Sequence, residues 1–570
     1  MTGSQVHSFQ QTDREKKTTL MANETDVIVL GSGGAALAAA LVPAQAGLKV
    51  SVFERTEYLG GTTAVSAGML WIPNNHHMSE PGDDTVQDSR EDALTYMTRI
   101  AGGQAAQELI EAFVDRGPEM IQWLEDTTPV KMYPIDRPDY HSEFEGAKVG
   151  SRALDNQPVD ASTLGAAADL VRPSAWYPEP YTYAERRKGL ATKDLIEDRL
   201  DKNIWCFGRA LVGGLVKAGL DNGVDYRLNQ RAVRLLKEDG RIVGVVVRDA
   251  DGQESEHRAN VAVVVGTGGY EWNDELKTNY LRGPDVAPMS PPFNEGDGLL
   301  MGMDVGSGLR NMNEAAYHIA FKIPGEMADG KPRSRFISGE RALPGSIIVN
   351  KYGRRIVNEA SSYSDMAKAF NVFDVESYEY VNAVSYMVFD ERFRRSYSFA
   401  TLKPTDETTP EWVHQGNTLD ELAEKTGIDA EGLRSEITKF NGFAAAGRDE
   451  DFHRGIAAHD RHYGDAKHTP NPNLGPIDQG PFYAIEVVCG TLGTRGGLHT
   501  DEFSRVKDNF GEVIPGLYAV SNAMAAVTGI GYPGAGGTLG PNLAFGYIAG
   551  RDIADRAESA GLSKRAEARA

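Results

Sequence analysis

Residues 25–55 read TDVIVLGSGGAALAAALVPAQAGLKVSVFER. Val27 to Leu30 has the composition of a short buried strand, the glycines mark a turn, the alanine-rich run has helix propensity, and Lys49 to Phe53 reads as a second strand. This is a β-α-β unit with a dinucleotide turn. Gly31 permits the tight turn, Gly33, with Gly34 beside it, lets backbone approach a pyrophosphate at the helix N-terminus, and small Ala36 lets helix and sheet pack closely. Glu54 ends the second strand, where a carboxylate can accept ribose hydroxyls.

The next stretch narrows the cofactor. LGGTTAVSAGMLW, 59–71, exposes amides at Gly60 and Gly61, offers hydroxyls without bulk at Thr62, Thr63 and Ser66, and keeps Gly68 before an apolar run. It resembles the segment after the second strand in FAD proteins of the fumarate reductase and succinate dehydrogenase superfamily, where small residues border the pyrophosphate and flavin. The resemblance implies FAD, and because no feature of the sequence asks for covalent attachment, noncovalent FAD is expected.

Later segments return to the same unit. GRIVGVVVRDADG, 240–252, reads as a hairpin pair, and HRANVAVVVGTGGYEWN, 257–273, as a buried strand whose Thr267-Gly268-Gly269 turn is similar to the ATGG turn of these flavoproteins. NEGDGLL, 294–300, resembles their helix-starting GDG segment, with Asp297 an anchor or cap. VIPGLYAVSNAM, 513–524, is extended and places Ser521 and Asn522 where the resembled group keeps small and polar residues beside the flavin. After Leu539 and Gly540, PNLAFGYIAGRDIADRAES reads as a helix with Pro541 at its first position and Gly550 as a mild cost; its N-terminus is expected to face the flavin pyrimidine.

Between these parts the pattern changes to short apolar strands (GSIIVNKYG, AVSYMVFDERF) and two helix candidates in LDELAEKTGIDAEGLRSEITKFNGFAAAG, broken near Gly427 and Ile428. The expected fold class is α/β: a discontinuous Rossmann-like FAD-binding domain, 23–300 and 485–562, with an inserted α+β catalytic domain at 301–484. Residues 1–22 read as a disordered extension and 563–570 as a charged tail. The stretch 130–205, rich in Pro, Tyr and Trp, is expected to cover a site rather than build a sheet.

Composition excludes several classes. The formal charge of -22, from 59 Lys plus Arg against 81 Asp plus Glu, disfavours contact with a phosphate backbone, so no nucleic-acid partner is expected. Cys206 and Cys489 are too few for a disulfide scaffold, and no CxxC or HExxH spacing calls for a metal. The polar N-terminus lacks a signal segment and no run suits a membrane span; the expected location is cytoplasmic.

Near the C-terminus stands GIGYPGAGGTLGPNLAFG, 529–546, a phenol at the mouth of a glycine run. YPGAG resembles the Tyr-x-Gly-x-Gly signature of 3-ketosteroid Δ1-dehydrogenases, in which a phenol and a backbone amide hold the substrate; the matching residues are Tyr532 and Gly536. GRRIVNEASSY, 353–363, is similar to a second family segment and supplies Tyr363; PDYH matches a third and supplies Tyr140. Ser361-Ser362, where the family often has Ala-Pro, and His141 after Tyr140 depart from the pattern.

The resemblance implies FAD-dependent 1,2-dehydrogenation of a 3-ketosteroid, with a smaller cyclic ketone such as 4-oxocyclohexanecarboxylate as the second candidate and an external electron acceptor as partner. Charge develops on the ketone oxygen as the α-proton leaves, so donors from Tyr532 and Gly536 act most strongly near the transition state. Tyr363 is then the base, with Tyr140 tuning it and His141 an alternative relay. Fumarate reductase-like chemistry is the nearest rival; it needs cations for two carboxylates, and Arg354 and Arg355 are the sequence's candidates.

Overall fold

The computed structural model describes residues 25–79, 87–284 and 286–562; the expected extension at 1–22 and the tail at 563–570 lie outside the described residues. The opening unit folds as strand β1 (Thr25–Leu30), helix α1 (Gly34–Gln45) and strand β2 (Val50–Phe53), with β1 and β2 parallel from Val27↔Val50 to Leu30↔Phe53. β1 pairs on its other side with Glu254–Val265, which pairs in turn with Val513–Ala519, also parallel. Asp225–Arg227 extends the sheet beyond β2. A segment almost 500 residues downstream of β1 thereby completes the nucleotide-type sheet.

The alanine richness of α1 has a packing cause. Its residues from Gly34 to Ala44 are all buried, enclosed by the sheet, by Phe207–Asp221 and by the C-terminal helix Leu539–Ser559. A Cβ at Gly546 would fall 2.3 Å from Ala35 O, and one at Gly550 would fall 2.7 Å from Val42 Cβ. Gly550 is therefore a contact point rather than a mere helix cost. The helix begins at Leu539, which moves Pro541 to the third position; its missing N–H is still harmless there, because first-turn amides have no intrahelical partner.

Two further local expectations change. Arg241–Arg248 is a single strand, paired antiparallel with Arg231–Glu238 and with Glu254–Val265, so the turns lie at either end of 240–252 rather than within it. Asp297 opens the helix Asp297–Asp304 but does not cap it: left-handed Gly296 is the cap, and the Asp297 carboxylate instead receives Arg55 Nη1 (3.3 Å) and Arg231 Nε (3.0 Å).

The second sheet has the order Arg335–Phe336, Ala315–Phe321, Phe482–Thr494, Ser385–Asp390, Ser346–Asn350. Its long central strand, Phe482–Thr494, runs across the expected boundary at 484/485, and pairs within this sheet along its length. One face packs on aromatic residues such as Phe370 and Phe389, the other on the helices Leu419–Thr426 and Ala430–Ala446, which are separated by a left-handed Gly427. The stretch 130–205 builds only short pieces, with Met132–Pro134 and Ala153–Asn156 joining Leu70–Trp71 in a three-stranded ribbon beside the cleft.

Candidate active site

A continuous cleft runs from the end of β1 to the second sheet, with about 1840 Å³ not filled by protein atoms, part of it open to solvent. Gly31, Gly33, Glu54, Gly61, Thr62, Thr63, Ser66, Gly68, Gly268, Asp297, Asn522 and Leu539 all line it. Gly34, Ala36 and Gly60 do not; they pack the turn from behind. Gly34 N donates to Thr63 Oγ1 (3.0 Å), Gly60 N donates to Ser32 Oγ (3.0 Å), and a Cβ on Gly266 would lie 2.8 Å from that of Ala36. Ser32, which the glycine pattern passes over, ties the two loops together, because its hydroxyl also donates to Glu54 Oε2 (2.6 Å).

The cleft's chemistry suits a dinucleotide. The N-termini of α1 and of Leu539–Ser559 both open on it, and neither has a side-chain cap or an acidic residue in its first turn. The partial positive charge of each helix end is thus left for an anion. Gly31 has φ +93°, and a Cβ there would meet Gly266 O at 2.5 Å, so the turn admits no side chain at the strand end.

At the other end three expected tyrosines converge. Ring centroids are 5.3 Å apart for Tyr140 and Tyr363, 5.7 Å for Tyr140 and Tyr532, and 5.3 Å for Tyr363 and Tyr532. Named backbone contacts bring these distant segments together. Pro533 O accepts from Tyr140 N (3.0 Å) and from Tyr96 OH (2.7 Å), while Asp139 receives Trp71 Nε1 (2.7 Å) and Arg152 Nη1 (2.8 Å). Arg495 joins the remaining pair: Nη2 donates to Ser364 Oγ (2.7 Å) and Nη1 to Ile530 O (2.8 Å), with its Cζ 5.3 Å from the Tyr532 ring centre. Gly536 lines the cleft at φ +92°, and its N–H donates to no group among the described residues. Tyr532 OH accepts from Thr538 Oγ1 at 3.1 Å.

Charge is expensive here. Burial, followed by Tyr140 and Tyr532, holds the Tyr363 phenol well above its ordinary range, although the ring keeps some surface toward the cleft. Burial also raises Tyr140, but Arg137 and Arg341 pull it back down. His318, which no motif singled out, stacks on Tyr363 at 4.3 Å; burial, then Arg341, push its pKa down to about 3, so it is a neutral imidazole facing the cleft.

His141 does not line the cleft. Burial opposes its charge, but hydrogen bonds to Asp365 (2.9 Å) and Glu143 (3.2 Å) outweigh this and hold its pKa at about 9. Already protonated at neutral pH, it anchors the Tyr363 helix through Asp365 instead of accepting a proton. Arg354 is exposed, and Arg355 is buried in an ion pair with Glu359 (2.7 Å) and Asp449 (3.0 Å); neither reaches the cleft. Away from the cleft, His76, His77 and Glu125 gather ligand-type atoms within 4.8 Å, a cluster invisible to motif spacing; Glu125 receives both imidazoles, at 2.9 and 3.2 Å. Both cysteines are buried, with no disulfide among the described residues, and no helix of the described residues is long and apolar enough to cross a membrane.

The FAD binding domain family matches residues 26–539. A crystal structure of 3-ketosteroid Δ1-dehydrogenase from Sterolibacterium denitrificans, in complex with 1,4-androstadiene-3,17-dione, superimposes with a TM-score of 0.87 at 33% identity, covering 94% of this chain and 100% of that one.

The chain belongs to the 3-ketosteroid Δ1-dehydrogenase family of FAD-dependent flavoproteins.

Two relatives show the family's range. The chain is 41% identical over 545 residues to a 4-oxocyclohexanecarboxylate 2-dehydrogenase of Sinomonas cyclohexanicum, covering 93% of each. It is 37% identical over 574 residues to a 3-oxosteroid 1-dehydrogenase of Mycobacterium tuberculosis, covering 94% of this chain and 100% of the relative. As a member of this dehydrogenase family the chain is an FAD-dependent oxidoreductase acting on CH–CH groups, with noncovalent FAD as its cofactor.

Proposed function

We propose that the protein desaturates a ring ketone between its α- and β-carbons. The observation that carries this reading is the convergence of Tyr140, Tyr363, Tyr532 and the unpaired Gly536 N–H at one end of an FAD cleft. The ketone unit is common to the 3-oxosteroids and the 4-oxocyclohexanecarboxylate for which the relatives are named.

In this reading Tyr532 OH and Gly536 N–H donate to the ketone oxygen, where charge grows as the α-proton leaves. Tyr363 receives that proton. Burial disfavours a standing phenolate on Tyr363 and on Tyr140 alike, so the paired phenols act as one titrating unit: once the pair has released one proton to solvent, Tyr363 takes the α-proton in its place. Bound FAD supplies the acceptor for the hydride from the β-carbon. The carbon pair loses one proton and one hydride and gains the double bond, and an external electron acceptor completes the cycle. The neutral imidazole of His318 keeps the ring of Tyr363 in place by stacking.

Anaerobic mixing with ring ketones tests the reading. Flavin bleaching matched by an α,β-unsaturated product two hydrogens lighter is the expected result. Bleaching by no ketone, with FAD bound, contradicts it.

A further inference from the structure

The tyrosine end of the cleft is lined by two cations, neither of which forms an ion pair with a carboxylate among the described residues. Arg341 is 2% exposed, donates through Nη1 to Ser338 O (2.9 Å) and through Nη2 to Ser361 O (3.0 Å), and has a buried Nε without a hydrogen-bond partner among the described residues. Arg137 stands between the rings of Tyr183 and Tyr463, 5.1 and 5.3 Å from its Cζ, and its one hydrogen bond among the described residues goes to Met69 Sδ (3.2 Å). Both arginines line the cleft with Tyr140.

Two other buried arginines of this chain hold carboxylates, whereas Arg394 and Arg495, which do not line the cleft, donate to carbonyl or hydroxyl oxygens as Arg341 does. Arg152 holds Asp88 (2.6 Å) and Asp139 (2.8 Å), and Arg454 holds Glu359 (2.9 Å). The acidic residues that line the cleft, Glu54 and Asp297, are at the nucleotide end and engaged there by Ser32 and by Arg55 with Arg231. Burial pushes the Arg341 guanidinium down to about 10, against the pull of Glu340 and Asp460, neither of which bonds it. A wholly apolar substrate would strip water from these two guanidinium groups and return nothing. A carboxylate accepts from a planar guanidinium in two places at once.

We propose that Arg341 and Arg137 form a carboxylate subsite, so that the ring ketone this enzyme desaturates carries an acid group. The proposal rests on the desaturase reading for its ketone, but not for its anion. The ketone oxygen is held at Tyr532 and Gly536, and the acid group lies across the ring from it, toward the arginines.

The test compares 4-oxocyclohexanecarboxylate with its methyl ester in anaerobic flavin reduction by the FAD-loaded enzyme, together with binding of cyclohexanecarboxylate, which has no ketone, followed by its perturbation of the flavin spectrum. The acid should exceed the ester in kcat/KM by about 10- to 100-fold, the range of a charge-assisted hydrogen bond. Arg341→Met should collapse that ratio mainly through KM, and Arg341→Lys should restore part of it. An ester used as well as the acid by the wild type overturns the subsite; so does equal loss on both substrates in Arg341→Met. Should the variant fail to fold, the wild-type ratio and cyclohexanecarboxylate binding still decide. Saturable binding of cyclohexanecarboxylate without bleaching by any ketone keeps the subsite and removes the desaturase reading. Bleaching by neutral ketones with no cyclohexanecarboxylate binding does the reverse.

Discussion

Replacing Gly536 by alanine strikes backbone and clamp together. The residue lies at φ +92°, and a Cβ would stand 2.6 Å from Met69 O, 2.6 Å from Trp71 N and 2.7 Å from Leu70 C. All three are backbone atoms, which cannot swing aside as a side-chain end would. The left-handed conformation costs about 1–2 kcal/mol for a residue with a Cβ. Relieving the overlap adds about 1–3 kcal/mol, by analogy with overpacked cores. The sum, about 2–5 kcal/mol, is a sizeable part of the roughly 5–15 kcal/mol that holds a domain folded. If the segment moves on the order of 1 Å to escape the strand Leu70–Trp71, the Gly536 N–H leaves the ketone oxygen, a misplacement worth about 100-fold in rate. Urea unfolding, the flavin absorbance retained after purification, and anaerobic flavin reduction by a ring ketone measure the three consequences. Lowered stability with retained FAD and a reduction rate about 100-fold slower is expected. A destabilised variant that still reduces flavin at the wild-type rate would show that the strain argument holds and the clamp does not.

Two further outcomes follow from the same geometry. Gly31→Ala, at φ +93° with its Cβ 2.5 Å from Gly266 O, should purify with little flavin absorbance; full occupancy would mean that the turn tolerates a side chain. His141 has a folded pKa of about 9, raised from 6.5, so the stability it contributes is fully present below pH 6.5 and is lost as pH rises through 9. Faced by Glu143 and Asp365, the latter also 3.7 Å from Lys368, it should account for about 1–3 kcal/mol of unfolding free energy over that window, and His141→Gln should flatten the pH dependence. An unchanged slope in the variant would place the titration elsewhere.

What the sequence made legible was local or repeated as a pattern. The glycines, strand and carboxylate of residues 25–55 sit within one β-α-β unit, so their joint meaning survives in one dimension. Tyr140, Tyr363 and Tyr532 were found because each lies in a family-like segment, and the structure brings their rings within 5.7 Å. Arg341 and His318 had no such signal. His318 lies on the strand Ala315–Phe321 and Arg341 in the turn Glu340–Ala342, and only tertiary packing turns both toward Tyr363. A buried cation bonded only to backbone carbonyls leaves no spacing in the sequence. Arg355, the cation that the rival reductase reading would need, shows the converse: a paired cation in a matching turn reads like an unpaired one until Glu359 and Asp449 are seen beside it. Pro541 stands third in its helix rather than first, because the helix begins at Leu539, and of the two roles open to Asp297 the cap falls to Gly296.

The central claim is that Tyr363 removes the α-proton within a cage of phenols. The most direct measurement is solvent exchange of an α-deuterated ring ketone in the absence of an electron acceptor, compared between the wild type and Tyr363→Phe, both with FAD bound as judged by flavin absorbance. The wild type should wash out α-deuterium or bleach the flavin, and the variant should do neither beyond about one-thousandth of the wild-type rate, in keeping with loss of a general base on top of the relay it serves. Exchange and bleaching at wild-type rates in Tyr363→Phe would contradict the account and give the proton to another group in the cleft.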